Sequence, residues 1–250
     1  MTDFKRNLKI SEDHSQITLS DSRFYRRNKN YYPSITHVLG SYPKGKHFED
    51  WLMKVGYSSK FIVKKAADDG NLVHGLIEDF LGGKELLYLD HKGAPKYSTL
   101  VWNMVMRFVE FWETYKPELL EAEVYLFSDE IKVAGTCDLV CKIDGKVWII
   151  DFKTSNYLHT SYELQTAIYR KCYEECFGVK IDEVGILWLK SSKRKFNKEK
   201  MQGKGWEMFQ SSRSYEDNLK IFKNVLDIYK IENPYEKPIF STLPTSLKLK

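Results

Sequence analysis

The chain has 250 residues, 42% of them hydrophobic, 14% aromatic and 29% charged, with 39 basic against 34 acidic side chains and a net charge of +5. That balance excludes a disordered or fibrous chain, suits one sizeable core and mildly favours an anionic partner. No run approaches the ~20 apolar residues of a membrane span, and the opening MTDFKRNLKI lacks the apolar stretch of a secretory signal. The expectation is a soluble, cytoplasmic protein whose four cysteines are reduced thiols.

Residues 1–250 read as a single domain: a mainly helical part over 1–120, a core over 121–231 and a tail over 232–250. A short strand is expected near Gln16 to Leu19. In RFYRRNKNYYPS, Arg23, Arg26, Arg27 and Lys29 interleave with Phe24, Tyr25, Tyr31 and Tyr32. Such a mixture either holds a single strand by phosphate contact and base stacking or forms a solvated loop pinned by its aromatics. Ser34 is a candidate N-cap for a short helix through Leu39. A second helix is expected over Lys46 to Val55, with Phe48, Trp51, Leu52 and Val55 spaced as core residues. Residues 58–82 read as one interrupted helix or two, packed through Val73, Ile77 and Leu81. His74 and Glu78 share a different face. A lone helical histidine is more often a hydrogen-bonded bystander than a ligand, although imidazole binds metals well. Another amphipathic helix spans about Ser98 to Tyr115.

Strand signals begin at Glu121, where alternation puts Glu121 and Glu123 on one face with Tyr125 and Phe127. The centre of the chain is VAGTCDLVCKIDGKVWIIDFKTS, Val133 to Ser155. Asp144-Gly145 is a strong signal for a two-residue hairpin turn. Pairing outward from Ile143 and Lys146 sets Cys137, Leu139, Cys141 and Ile143 on one face and Asp138 opposite Asp151. Like charges about 4.5 to 5.5 Å apart destabilise a strand pair, so a divalent cation between them is the simplest reason for their presence. Lys153 points to the same side as Asp151. A metal with an ammonium beside it suits phosphodiester hydrolysis.

A helix over Ser161 to Phe177 places Gln165 and Tyr169 four apart, to contact a nucleotide or to line a wet edge. The apolar strand Glu183 to Lys190 leads into a basic loop, where Lys190, Lys193, Arg194, Lys195, Lys198, Lys200 and Lys204 are opposed only by Glu199. That loop is expected to touch phosphate. A return strand at Trp206 to Gln210 and a helix over Tyr215 to Lys230 complete the core.

The ordered set of His74 in GNLVHGLIEDFLGG, Asp138 in GTCD, Asp151 and Lys153 in DFKT, and Gln165 and Tyr169 in QTAIY resembles the RecB-like branch of the PD-(D/E)XK nuclease superfamily. The lead-in YPSITHVLGSYPKGKHFEDWLMKVG is similar to that of phage-encoded members and of mitochondrial genome maintenance exonucleases. The resemblance spans about Tyr32 to Gly178. It implies an α/β (α+β), restriction-endonuclease-like core, with a central mixed sheet flanked by helices. It also implies that Asp138, Asp151, the backbone carbonyl of Phe152 and His74 hold Mg2+ or Mn2+, with Glu123 a further acidic candidate. An imidazole ligand suits Mn2+ at least as well as Mg2+. Lys153 would position the attacking water and neutralise developing charge. Gln165, Tyr169, Arg26, Arg27, Lys193, Arg194 and Lys195 would bind DNA. Relatives that carry an iron–sulfur cluster use a C-terminal cysteine trio, whereas Cys176 is the last cysteine here, so no cluster is expected. The function implied is a metal-dependent exonuclease on single-stranded DNA ends in replication or recombination, phage-encoded. A structure-specific or restriction-type endonuclease and a catalytically silent nucleic-acid-binding module stand as alternatives.

Overall fold

The computed structural model describes residues 15–18, 23–189, 205–234 and 248. Lys193, Arg194 and Lys195 of the basic loop, and nearly all of the tail, lie outside the described residues. A three-stranded antiparallel sheet comes first, of β1 (Ser15–Thr18), β2 (Arg23–Arg27) and β3 (Asn30–Pro33). The helices α1 (Ile35–Val38), α2 (Lys46–Val55), α3 (Ser59–Leu81) and α4 (Thr99–Tyr115) follow. A five-stranded mixed sheet contains β4 (Glu118–Ser128), β5 (Val133–Ile143), β6 (Lys146–Lys153), β7 (Glu183–Trp188) and β8 (Glu207–Phe209), in that spatial order. Among the pairs of these five strands only β6–β7 is parallel, and it is joined through α5 (Thr160–Phe177). The last helix is α6 (Tyr215–Glu232). The expected restriction-endonuclease-like α/β architecture is therefore present.

The central hairpin forms as its turn dictates. Asp144 and Gly145 both take left-handed backbone, φ 50° and 78°, which matches the strand twist. The register runs as expected from Ile143 opposite Lys146 to Leu139 opposite Ile150. One face of the sheet packs against α1, α5 and α6 through residues such as Val140, Ile149, Ile168 and Phe222. The other packs against α3 and α4 through Leu139, Ile150, Phe152, Val73, Ile77 and Phe108. Ser98 caps α4, its Oγ accepting from the Val101 amide at 3.3 Å.

Three expectations need correction. The basic-aromatic stretch is not a loop. It is the β2–β3 hairpin, turning at Asn28 and Lys29 with positive φ. Tyr25 and Tyr32 are buried with Phe127 and Ala134 in a third apolar cluster. Residues 58–82 form one uninterrupted helix. Helix α2 has the expected bounds, yet none of its residues is buried, so Phe48, Trp51, Leu52 and Val55 are not core.

Gly135 lets α5 lie close to β5. A Cβ there would come 2.7 Å from the Tyr169 ring and 3.2 Å from Ile35. Gly75 in α3 has open space around it. Gly135→Ala should cost about 1–3 kcal/mol through overpacking, whereas Gly75→Ala should stabilise by about 0.5–1 kcal/mol through helix propensity. Urea unfolding of the two variants reads both signs.

Candidate active site

The hairpin ladder stops one pair short of the aspartates. Leu139 and Ile150 are its last partners. Beyond them Asp138 Oδ2 accepts from the Phe152 amide at 2.6 Å. Alternation breaks at the same point, since Leu139 and Cys141 pack under α3 and α4 while Cys137 packs in the α5–α6 layer. The expectation that the two carboxylates face each other, and that Cys137 shares the face of Leu139, is thus corrected. Opposed like charges are costly, and with the strands parted each aspartate has its own partners.

The Asp138 side gathers groups from α3 and β4. His74 Nδ1 lies 3.3 Å from Asp138 Oδ1 and 4.0 Å from Glu123 Oε1. The buried Val73 and Ile77 anchor α3 so that His74 meets the sheet. Glu123 has φ 49°, a sparsely populated conformation for a non-glycine residue. The ladder skips it, pairing Ala122 with Leu139 and Val124 with Cys137, downstream of a register shift between Leu119 and Glu121. Glu121 consequently meets Tyr173 of α5 at 3.2 Å, while Glu123 meets His74 of α3. The two glutamates do not share a face.

The Asp151 side is a closed network. Lys153 Nζ contacts Asp151 Oδ2 at 2.6 Å and donates to Gln165 Oε1 at 3.1 Å. Gln165 Nε2 donates to Asp151 Oδ1 at 3.0 Å and to the Tyr169 hydroxyl at 2.7 Å. One amide bridges both members of the ion pair, and its orientation follows from donor and acceptor chemistry. Gln165 and Tyr169 are buried, so they brace the aspartate and lysine rather than line an exposed edge. Tyr162, which belongs to none of the motifs, also reaches the site, its ring centroid 4.5 Å from Lys153 Nζ. Its position three residues before Gln165, on the same helical face, is a usable signal.

Charge follows the geometry. Burial raises the Glu123 pKa, and the Asp138 charge adds to the rise. Burial opposes charge on His74, but Asp138 and then Glu123 override it and hold its pKa up at about 9. Burial likewise raises Asp151 against the pull of Lys153. Lys153 resists its own burial because Asp151 and Asp138 keep it protonated. One atom each from His74, Glu123 and Asp138 lies within 4.8 Å of the others. An imidazole and two carboxylates are a fitting donor set for a divalent cation. His74 and Glu123 are 29% and 27% exposed, against 9% and 2% for Asp138 and Asp151, so the cluster is open on the His74 side.

The two arginine candidates make other contacts. Arg27 pairs with Asp129 and lies 4.6 Å from the Phe127 ring centroid, and Arg26 sits on β2 opposite Tyr31. Phe152 offers its amide to Asp138 and its ring to the α3–α4 layer.

Residues 52–227 match the PD-(D/E)XK nuclease superfamily. No curated protein matches. Among solved structures, an exonuclease candidate from Eubacterium rectale is similar at 14% identity, covering 73% of this chain and 76% of its own, with a TM-score of 0.42. The protein SSO0001 is similar at 13% identity over 58% of this chain and 69% of its own, with a TM-score of 0.30.

If His74, Glu123 and Asp138 hold a cation, Mn2+ should raise the unfolding free energy, by about 2.7 kcal/mol at a hundredfold excess over Kd. Asp138→Ala should abolish that gain. Thermal melts with and without Mn2+ check it.

Proposed function

The chain belongs to the PD-(D/E)XK nuclease superfamily, and from that premise we propose that it is a divalent-metal-dependent DNA exonuclease acting on single-stranded ends. Membership makes it a phosphodiester hydrolase with a nucleic-acid substrate, and nucleases of this superfamily use divalent metals. Among the described residues no helix is long and apolar enough to cross a membrane. The exonuclease assignment, its place in replication or recombination and a phage origin rest on the resemblance of the motif set to the RecB-like branch and of the lead-in YPSITHVLGSYPKGKHFEDWLMKVG to phage-encoded members and mitochondrial genome maintenance exonucleases. The whole chain is read as one nuclease domain.

The carrying observation is that the Gln165-bridged pair of Asp151 and Lys153 sits beside the cluster of His74, Glu123 and Asp138. Asp138, Asp151, His74 and the Phe152 carbonyl would hold the cation, with Glu123 as a further donor. Once bound, it supplies Lewis-acid charge at the phosphate and a lowered pKa for an attacking water. Lys153, beside Asp151, would position the attacking water and donate to a phosphate oxygen as charge builds. Gln165 holds that ammonium and Asp151 in one geometry, and Tyr169, seated against Gly135, holds Gln165. Pre-organisation of this kind removes reorganisation from the reaction step. Arg26, Arg27 and the basic residues Lys193, Arg194 and Lys195 remain proposed phosphate contacts.

End-labelled single-stranded, duplex and closed circular DNA, incubated with Mg2+, Mn2+ or chelator, test the reading. The wild type should shorten linear single strands only with metal and leave the circle intact. Asp151→Ala and Lys153→Ala should each lower the rate by about 10²–10³-fold or more while still folding. Nicking of the circle would assign an endonuclease instead, and undiminished cleavage by either variant would refute the site.

A further inference from the structure

Past Lys153 the surface carries a row of side chains that the cleavage chemistry leaves unused. The Tyr162 ring lies over the Lys153 ammonium at 4.5 Å. His159 meets Tyr162 edge-on, with centroids 5.4 Å apart. Lys44 stands near His159, and its charge adds to burial in lowering the imidazole pKa. Lys44 Nζ in turn lies 4.8 Å from the Phe48 centroid, and Phe48 stacks on Trp51 at 5.7 Å and 30°. Two ammonium groups, each followed by a pair of rings, therefore mark a row from the buried centre out to α2. Tyr162, Phe48 and Trp51 are half-buried, and His159 and Lys44 are exposed.

Helix α2 adds a second observation. Phe48, Trp51, Leu52 and Val55 share one face, yet α2 buries none of its residues. Glu49 and Asp50 fall outside that face by helical spacing. A surface helix ordinarily spends such a face on the core. A single nucleic-acid strand presents phosphates together with unpaired bases, which matches ammonium groups interspersed with rings. In a duplex the bases stack on one another and cannot reach the rings. A second copy of the chain seated here would bring Lys44 toward like charges, whereas phosphate neutralises them.

We propose that this row is a single-strand track. Tyr162 takes the base beside the scissile phosphate, Phe48 and Trp51 take bases further along, and Lys44 takes a phosphate between them. This rests on the nuclease reading and specifies the form of DNA its site admits.

The test uses the full-length chain carrying Asp151→Ala, so that substrate persists, and a short fluorescein-labelled oligothymidylate with 2-aminopurine placed at successive positions. Anisotropy reads affinity, and 2-aminopurine quenching reads stacking. Quenching should appear at positions near one end. Adding Trp51→Ala or Tyr162→Leu should raise Kd about 5- to 150-fold and relieve the quench, while Trp51→Phe should restore both. Circular dichroism melts confirm that each variant is folded. Folded ring-deletion variants that bind and quench as the parent does would overturn the track. So would Trp51→Phe behaving like Trp51→Ala, or Trp51→Ala dissolving a dimer without weakening DNA binding. Cleavage by the chain without Asp151→Ala, assayed on the same oligonucleotide, separates the two readings. Cleavage with ring-independent binding removes the track and leaves the enzyme, and ring-dependent binding without cleavage removes the enzyme and leaves the track.

Discussion

The burial of two aspartates at one end of a hairpin is the constraint on which the rest of this structure depends. Asp138 and Asp151 are almost inaccessible, and taking a carboxylate out of water costs several kcal/mol unless it is paired. They are satisfied differently. Asp138 is met by an imidazole and a backbone amide, and Asp151 by an ammonium and a side-chain amide. Removing one partner of a buried pair typically costs about 3–5 kcal/mol, whereas a well-packed apolar replacement of the whole pair is often neutral. A cluster of this kind does little for stability, and its cost is explained by chemistry.

The sheet brings together groups that belong to opposite layers. His74 comes from α3 on one face, and Gln165 and Tyr169 come from α5 on the other. They meet because β5 and β6 part after Leu139 and Ile150, while β6 stays bound to β7 from Trp148 through Lys153. The Leu189 amide, donating to the Lys153 carbonyl at 2.8 Å, extends that hold. One edge of β6 is thus fixed and the other free, so Asp151 and Lys153 are rigidly held yet accessible to both layers. Gly135 closes the α5 side by admitting the Tyr169 ring against β5.

How much of this was legible in the sequence depends on the range of the force involved. The hairpin and its register follow from Asp144-Gly145 and a period of two, both local. Helices α2 and α4 were legible to within a residue for the same reason. The parting of the strands at Asp138 was not, because His74, 64 positions earlier in the sequence, shares in causing it. Glu123 escaped alternation through a positive φ that no nearby glycine announces. The β2–β3 hairpin was missed because Asn28-Lys29 lacks the glycine of a strong turn signal. The pairing of Arg27 with Asp129 was not legible either, because the two lie far apart in sequence.

Helix α2 shows where pattern reading stops for a different reason. The spacing of Phe48, Trp51, Leu52 and Val55 correctly says that these side chains share a face, since that is a property of helix geometry alone. It says nothing about what lies across from them. Core and binding surface both select apolar and aromatic residues at i, i+3, i+4 and i+7, and only the fold tells whether another element arrives to cover them. In α3 the same spacing at Val73 and Ile77 meets α4 and the sheet, and the side chains vanish from solvent. In α2 none of the side chains is buried among the described residues, and the charged groups along the row are Lys44 and, through Tyr162, the ammonium of Lys153. A face left apolar, flanked by cations and running toward a buried acidic centre has the chemistry of a substrate path more than that of an unfinished core.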